Sequence, residues 1–321
     1  MDVWTGGRAV VELLKVERVR HMFGIVGATF LDVLDTLYDD SSVEYINVRH
    51  EQAAAFMADG LARVTDRPGV CLVTSGPGAT NLITGVAAAY VAHSPVVVLV
   101  GGIALDHYQK DAFQEFDLVN MFRPVTKLAL QINKPERIPE LLRGALRTAM
   151  SGRPGPVFVE IPRDVLSGKM SPVAALAPEE YRVTHPQPPH ADAVREAVRR
   201  LRQAKRPLLL VGGGATRAGA GELVVQLSER CVMPMITAYG RNDAVPNAHP
   251  LYLGPPRTRR SAGSGRRLSA GRPHPGRGLA APSIADASVA AWRGRVSSTP
   301  SRPPRHPARL TRSGRLSRGY S

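Results

Sequence analysis

At 321 residues, with 43% hydrophobic and 5% aromatic side chains, the chain is long enough for two ordinary domains with cores of their own and is not a mini-protein. Its formal charge of +15 suggests a nucleic-acid binder until it is mapped: residues 257 to 321 hold 15 Arg against one Asp, and the first 256 residues are close to neutral. Cys71 and Cys231 are far apart, with no CxxC or Cys/His spacing, which argues against a disulfide framework or a metal site.

The N-terminus has charges every few residues and no apolar run ahead of a small-residue cleavage site, so no secretory signal is read and the reduced cytoplasm is the expected compartment. The pattern predicts a helix over 5–20, strands over 22–26 and 43–48 with a helix over 30–38 between them, and an Ala-rich helix over 51–64. Strand 70–74, helix 79–92, strand 96–100, helix 139–150 and strand 157–161 follow. Pro68 to Leu105 carries no charged side chain, which raises a membrane span, but Gly76, Pro77, Gly78, Asn81, His93 and Pro95 divide it into strand, turn, helix and strand. Strands buried on both faces read as continuous apolar runs, and parallel neighbours need crossover helices of about this length. Residues 1–165 are therefore expected to form a doubly wound parallel α/β sheet.

Residues 166–190, with Pro172, Pro178, Pro186, Pro188 and Pro189, suit a linker. A partial second α/β domain is expected over 191–256, with helices 191–203 and 218–230, strands 207–211 and 232–237, and glycines at 212–214. From 257 onward there is no Lys, Glu or Phe and no sustained periodicity, a composition that cannot offset its ordering entropy, so a disordered basic tail is expected. Two origins compete for it. One is an arm that binds phosphate backbones and weakens with salt. The other is a non-native terminus, such as a shifted GC-rich reading frame, and the abrupt change at Pro256 favours it. Trp292 and Tyr320 are the only aromatics among the arginines, so single-strand recognition has little support.

In open α/β sheets ligands bind outside the carboxyl ends of the strands. The turns there carry Gly24 to Ala28, Arg49 to Gln52, Ser75 to Asn81, and Gly101 and Gly102 ahead of a loop ending Asp111 to Glu115. Taken alone, Glu51 is an acid in the first turn of a helix, where it complements the dipole. His50 beside it reads as a capping or packing residue. The Gly-Pro-Gly turn of the next strand changes the weight, because its missing side chains would let a ring lie close to the backbone, where an acid is a poised proton carrier.

RHEQAAAFMADGLAR, TSGPGATNLITG, DAFQE, RPVTK and SGRPGPVFVEIPRDV, in that order, resemble thiamine diphosphate enzymes of the acetolactate synthase type, over about Val3 to Gly254. The resemblance implies a pyrimidine-binding domain over 1–165, part of a central domain over 191–256, thiamine diphosphate with Mg²⁺ as cofactors, and 2-oxo acids such as pyruvate as substrates in branched-chain amino-acid biosynthesis. Glu51 matches the family's Glu that hydrogen-bonds N1′ of the aminopyrimidine and shifts it toward the imino tautomer, whose 4′-nitrogen takes the thiazolium proton. Gly27, Gly76, Pro77, Gly78 and Asn81 match residues lining that ring. Phe113 and Gln114 match the loop on the substrate side across a subunit interface, and a homo-oligomer is implied. Ile25-Val26-Gly27-Ala28 stands where relatives often have Tyr-Pro-Gly-Gly. His93 resembles sulfoacetaldehyde acetyltransferase relatives, which leaves the reaction open within the family. Arg217 in the third-glycine slot weighs against a nicotinamide site at Gly212 to Gly214. In acetolactate synthases the matching segment helps hold FAD, but many relatives bind none, and FAD is not expected here because the rest of that domain is not recognisable.

The family binds the diphosphate and Mg²⁺ through a C-terminal domain with a Gly-Asp-Gly segment. No such segment occurs; Ala58-Asp59-Gly60 lies within a predicted helix. The expectation is a truncated decarboxylase/carboligase, inactive alone and without a metal site of its own. The alternative is a noncatalytic α/β protein with an Arg-rich nucleic-acid-binding tail.

Overall fold

The structure, a computed structural model, describes residues 3–65, 67–174, 176–184 and 188–255. The basic tail, and with it the nucleic-acid reading, lies outside the described residues. Trp4–Thr5 (β1) leads directly into Gly6–Val16 (α1), because the Thr5 hydroxyl accepts from the Arg8 amide at 3.1 Å and caps the helix. Thr5→Ala is expected to lower stability by about 1 kcal/mol, read as a lower urea midpoint.

His21–Gly24 (β2), Leu31–Asp39 (α2), Glu44–Asn47 (β3), Glu51–Thr65 (α3) and Gly69–Thr74 (β4) follow near their expected places. Where one helix was expected over 79–92 there are two, Pro77–Asn81 (α4) and Ile83–Ala92 (α5). Pro77 suits the first helical position and starts the helix early, and the Leu82 amide turns back to the Ala79 carbonyl at 3.0 Å, a tighter bond that interrupts the run. Val96–Gly102 (β5), Leu118–Phe122 (α6), Leu128–Gln131 (β6), Ile138–Met150 (α7), Val157–Pro162 (β7), Arg163–Ser167 (α8), Lys169–Met170 (β8) and Pro178–Tyr181 (α9) complete this part. Val165, Leu166 and Met170 are buried, so the start of the stretch read as a linker is packed. β8 pairs antiparallel with β1.

Six strands form one parallel sheet in the order β3-β2-β4-β5-β7-β6. The period of two divides each strand between two cores. Val70, Leu72, Val97, Leu99, Val157 and Val159 face α1, α2 and α7, whereas Cys71, Val73, Val98, Val100 and Phe158 face α3, α5 and α6. Phe158 stacks on Phe122 at 4.2 Å between centroids. On that side α3 and α5 lie close because their contact is Gly85 against Ala55; a Cβ at Gly85 would fall 2.5 Å from the Ala55 Cβ. Both cysteines are free, Cys71 buried and Cys231 exposed.

β2 is followed on one side by β3 and on the other by β4, so strand order reverses between β2 and β4. The crevice at their carboxyl ends is where such sheets accept ligands.

The second α/β part has Ala191–Gln203 (α10), Leu209–Val211 (β9), Gly213–Arg217 (α11), Gly221–Cys231 (α12) and Met235–Thr237 (β10), with β9 and β10 parallel. The strand expected over 232–237 begins at Met235, because Val232 takes a left-handed φ of 49° that closes α12. Gly213, read as loop, opens the short α11. The charge-free stretch from Pro68 resolves into β4, α4, α5 and β5, and among the described residues no helix is long and apolar enough to cross a membrane.

Candidate active site

Glu51 opens α3 at the carboxyl edge of the sheet and is half-buried. The neighbouring His50 caps this helix: its Nδ1 accepts from the Gln52 amide at 3.1 Å and its carbonyl from the Ala53 amide at 2.9 Å. Asn81, at the end of α4, donates from Nδ2 to Glu51 Oε2 at 2.9 Å. The other oxygen, Oε1, lies 3.5 Å from where a Cβ at Gly78 would stand, and that Cβ would also meet Thr74 Cγ2 at 2.8 Å. One carboxylate oxygen is thus held while the other lies beside Gly78, where a side chain would crowd both it and the Thr74 methyl.

Gly27 has an extended backbone, and its gap is taken by Thr74, whose Cβ would be 2.6 Å from a Cβ there. Thr74 Oγ1 is 3.0 Å from Thr29 Oγ1, a hydroxyl pair spanning the two turns at the strand-order reversal. Sequence reasoning missed both threonines; the one signal was a hydroxyl at the end of the strand that enters Gly-Pro-Gly. Pro77 is exposed at the first position of α4.

At Gly76, expected to lie close to a bound ring, the neighbour within the chain is Gln114. A Cβ at Gly76 would meet Gln114 Cβ at 2.8 Å and Gln114 Cα at 3.0 Å, and the Ser75 hydroxyl donates to the Gln114 carbonyl at 3.0 Å. Gln114 therefore sits on the turn, and the space at Gly76 belongs to it. Phe113, its neighbour, is 87% exposed. The Glu115 carboxylate accepts from the Gln109 and Ala112 amides, which lowers its pKa and closes the loop on itself.

Two titratable groups on the strands behind this edge are shielded from water, Tyr45 partly and Cys71 fully. Burial raises the pKa of the Tyr45 phenol, whose hydroxyl donates to the Leu72 carbonyl at 2.9 Å, and it raises that of the Cys71 thiol. His93 ends α5 in a left-handed conformation and is a helix cap; burial and the adjacent Arg153 guanidinium hold its pKa down. Arg217 and Arg241 donate to the His93 and Ala92 carbonyls at 2.8 and 2.6 Å. In the Gly212 to Gly214 run, the Arg241 side chain lies against Gly213, 2.7 Å from a Cβ placed there, whereas no atom lies within 4 Å of a Cβ at Gly212 or Gly214.

A carboxylate oxygen left over from the Asn81 bond, beside a glycine that puts no side chain over it, fits the aminopyrimidine end of thiamine diphosphate. Among the described residues no three His, Cys, Asp or Glu side chains gather as metal ligands.

Residues 4–121 match the family model described as the thiamine pyrophosphate enzyme N-terminal TPP binding domain, and residues 194–267 match the thiamine pyrophosphate enzyme central domain. The chain is 41% identical over 252 residues to a probable acetolactate synthase large subunit of Methanocaldococcus jannaschii, covering 78% of this chain and 42% of that protein. It is 40% identical over 257 residues to the acetolactate synthase isozyme 3 large subunit of Escherichia coli, covering 79% and 45%. The chain thus spans less than half the length of these relatives.

Proposed function

This chain belongs to the thiamine pyrophosphate enzymes, of which it carries the N-terminal and central domains, and from that premise we propose that it binds the aminopyrimidine of thiamine diphosphate against Gly78, with Glu51 exchanging a proton with the ring. When bound, the cofactor supplies a nucleophilic thiazolium carbon that attacks the carbonyl of a 2-oxo acid. The protein's part is to hold and move one proton at Glu51 Oε1. Asn81 fixes Oε2, so the carboxyl cannot turn away, and the glycine at 78 leaves room for a ring within hydrogen-bond reach of Oε1.

The acetolactate synthase names of the relatives support decarboxylation of a 2-oxo acid such as pyruvate, followed by carboligation, as the activity of the whole enzyme. Residues 1–165 act as the pyrimidine-binding domain and 191–256 as part of the central domain. Mg²⁺ would need a set of ligands, and among the described residues no three His, Cys, Asp or Glu side chains gather. Phe113 and Gln114 border the substrate side.

The observation that carries the reading is the divided Glu51 carboxylate at the strand-order reversal. Calorimetric titration of the chain with thiamine and with thiamine diphosphate tests it. Saturable binding of both, lost in Gly78→Val, is expected; no binding of either would overturn it.

A second copy of the chain is the proposed partner. The outward face of α3 carries Phe56, Met57 and Val64, the last 81% exposed, and the neighbouring helix α5 exposes Tyr90 and Val91. Apolar side chains clustered on one face of a helix mark a surface that association covers. Sedimentation should give a dimer in the wild type and a monomer in Met57→Arg; a monomeric wild type would contradict the assignment.

A further inference from the structure

Glu160 is the one acid in the buried strand β7, 2% exposed, at the carboxyl end of the sheet. Oε1 accepts from the Tyr108 hydroxyl at 2.8 Å, and Oε2 accepts from Gln131 Nε2 at 3.1 Å. Gln131 Nε2 also donates to the Tyr108 oxygen at 2.7 Å. The charged neighbours acting on this group are acidic: Asp117 on Glu160, and Glu115 and Asp164 on Tyr108. Burying a carboxylate without a cation is costly and persists where neutral donors saturate it. Gly102 makes the room, since a Cβ there would lie 3.0 Å from Glu160 Oε1 and 3.1 Å from the Tyr108 hydroxyl.

Tyr108 is the root of the loop whose tip is Gln114. Between them the backbone is left-handed at Gln109, Asp111 and Gln114, none of them glycine, with φ of 63°, 50° and 65°. Side-chain-bearing residues keep such conformations only where their surroundings over-determine them. At the tip that role falls to Ser75 and Gly76; at the root it falls to Glu160 and Gln131, with the Leu105 amide also held by Asp164 Oδ1 at 3.1 Å.

We propose that Glu160, Tyr108 and Gln131 are positioning residues that clamp the root of the 105–116 loop so that Gln114 stays seated on Ser75 and Gly76 and Phe113 is presented at the mouth of the Glu51 site. The seat itself is independent of any cofactor; its service to that site rests on the reading of Glu51 given above.

Hydrogen exchange on the 321-residue chain tests the seat, and thiamine affinity tests its service. Tyr108→Phe removes only the hydroxyl, and Gln131→Ala removes the second donor from a half-buried edge strand. In both variants the amides of Gln109, Ala112 and Glu115 should exchange several-fold faster, as expected for losing a buried side-chain hydrogen bond, while β5 and β7 keep their protection. Thiamine should bind several-fold more weakly. Unchanged exchange in the loop would overturn the clamp. Faster exchange with unchanged thiamine affinity would overturn its role at the site. Failure of the wild type to bind thiamine would count against the Glu51 reading alone, and the exchange arm would still decide the clamp.

Discussion

Glu51→Gln is expected to slow the exchange of the thiazolium C2 proton of bound thiamine diphosphate for deuterium by about 10²- to 10⁴-fold, the ordinary contribution of a positioned acid–base group. Glutamine keeps the length of the side chain and can still receive the Asn81 amide on its oxygen, so the geometry at Oε2 survives. What it loses is the ability to take up and return a proton at Oε1. The fold should lose little, because the charge contributes about 0.3–1 kcal/mol at the N-terminus of α3 and the Asn81 hydrogen bond is weakened rather than lost. Proton NMR in D₂O, with thermal unfolding of the same samples, separates the two effects. Exchange at the wild-type rate with the cofactor bound would remove Glu51 from the chemistry.

Gly76→Ala should cost about 2–5 kcal/mol of stability, combining backbone strain with overpacking. Gly76 has φ 63° and ψ −124°, a region that residues with a Cβ rarely enter. The new methyl would also press on Gln114, whose carbonyl is tied to Ser75. Relief by expelling Gln114 would reduce the folding cost but free the loop, so thiamine affinity should fall in either case. Gly78→Ala is the comparison: it crowds the Thr74 methyl at 2.8 Å but carries no left-handed strain, so it should cost less stability than Gly76→Ala while placing a methyl beside Glu51. Urea unfolding and thiamine titration of the two variants give the comparison. A Gly76→Ala protein as stable as the wild type would contradict the seat assigned to Gln114.

The parts of this fold legible in the sequence are those whose burial is two-sided. Val70 to Thr74, Val96 to Val100 and Val157 to Ile161 read as strands because both faces are covered and no polar alternation interrupts them. Leu128–Gln131 went unread: it has no β-branched residue and is half-buried, and it becomes a strand through pairing with β7. Glu51 was visible as a first-turn acid after a strand, but its bond to Asn81, 30 residues on, depends on α4 beginning at Pro77 and ending where it does. The Gly-Pro-Gly turn was legible as a place of close approach. Which neighbour approaches was not, because the loop that claims Gly76 arrives from 38 residues downstream. Glu160 carried a signal that sequence reasoning passed over, a charge inside the apolar run Val157–Pro162. Only the sheet order, which places Gln131 beside it, makes that charge intelligible.

Nitrogen-15 NMR of thiamine labelled at N1′ measures the contact between ring and carboxyl at the atom concerned. On binding to the wild-type chain the N1′ resonance should move to the shielded position of a hydrogen-bonded ring nitrogen, and in Glu51→Ala that displacement should vanish. An N1′ resonance that shifts equally in both proteins would mean that the ring lies elsewhere and that Glu51 only caps its helix.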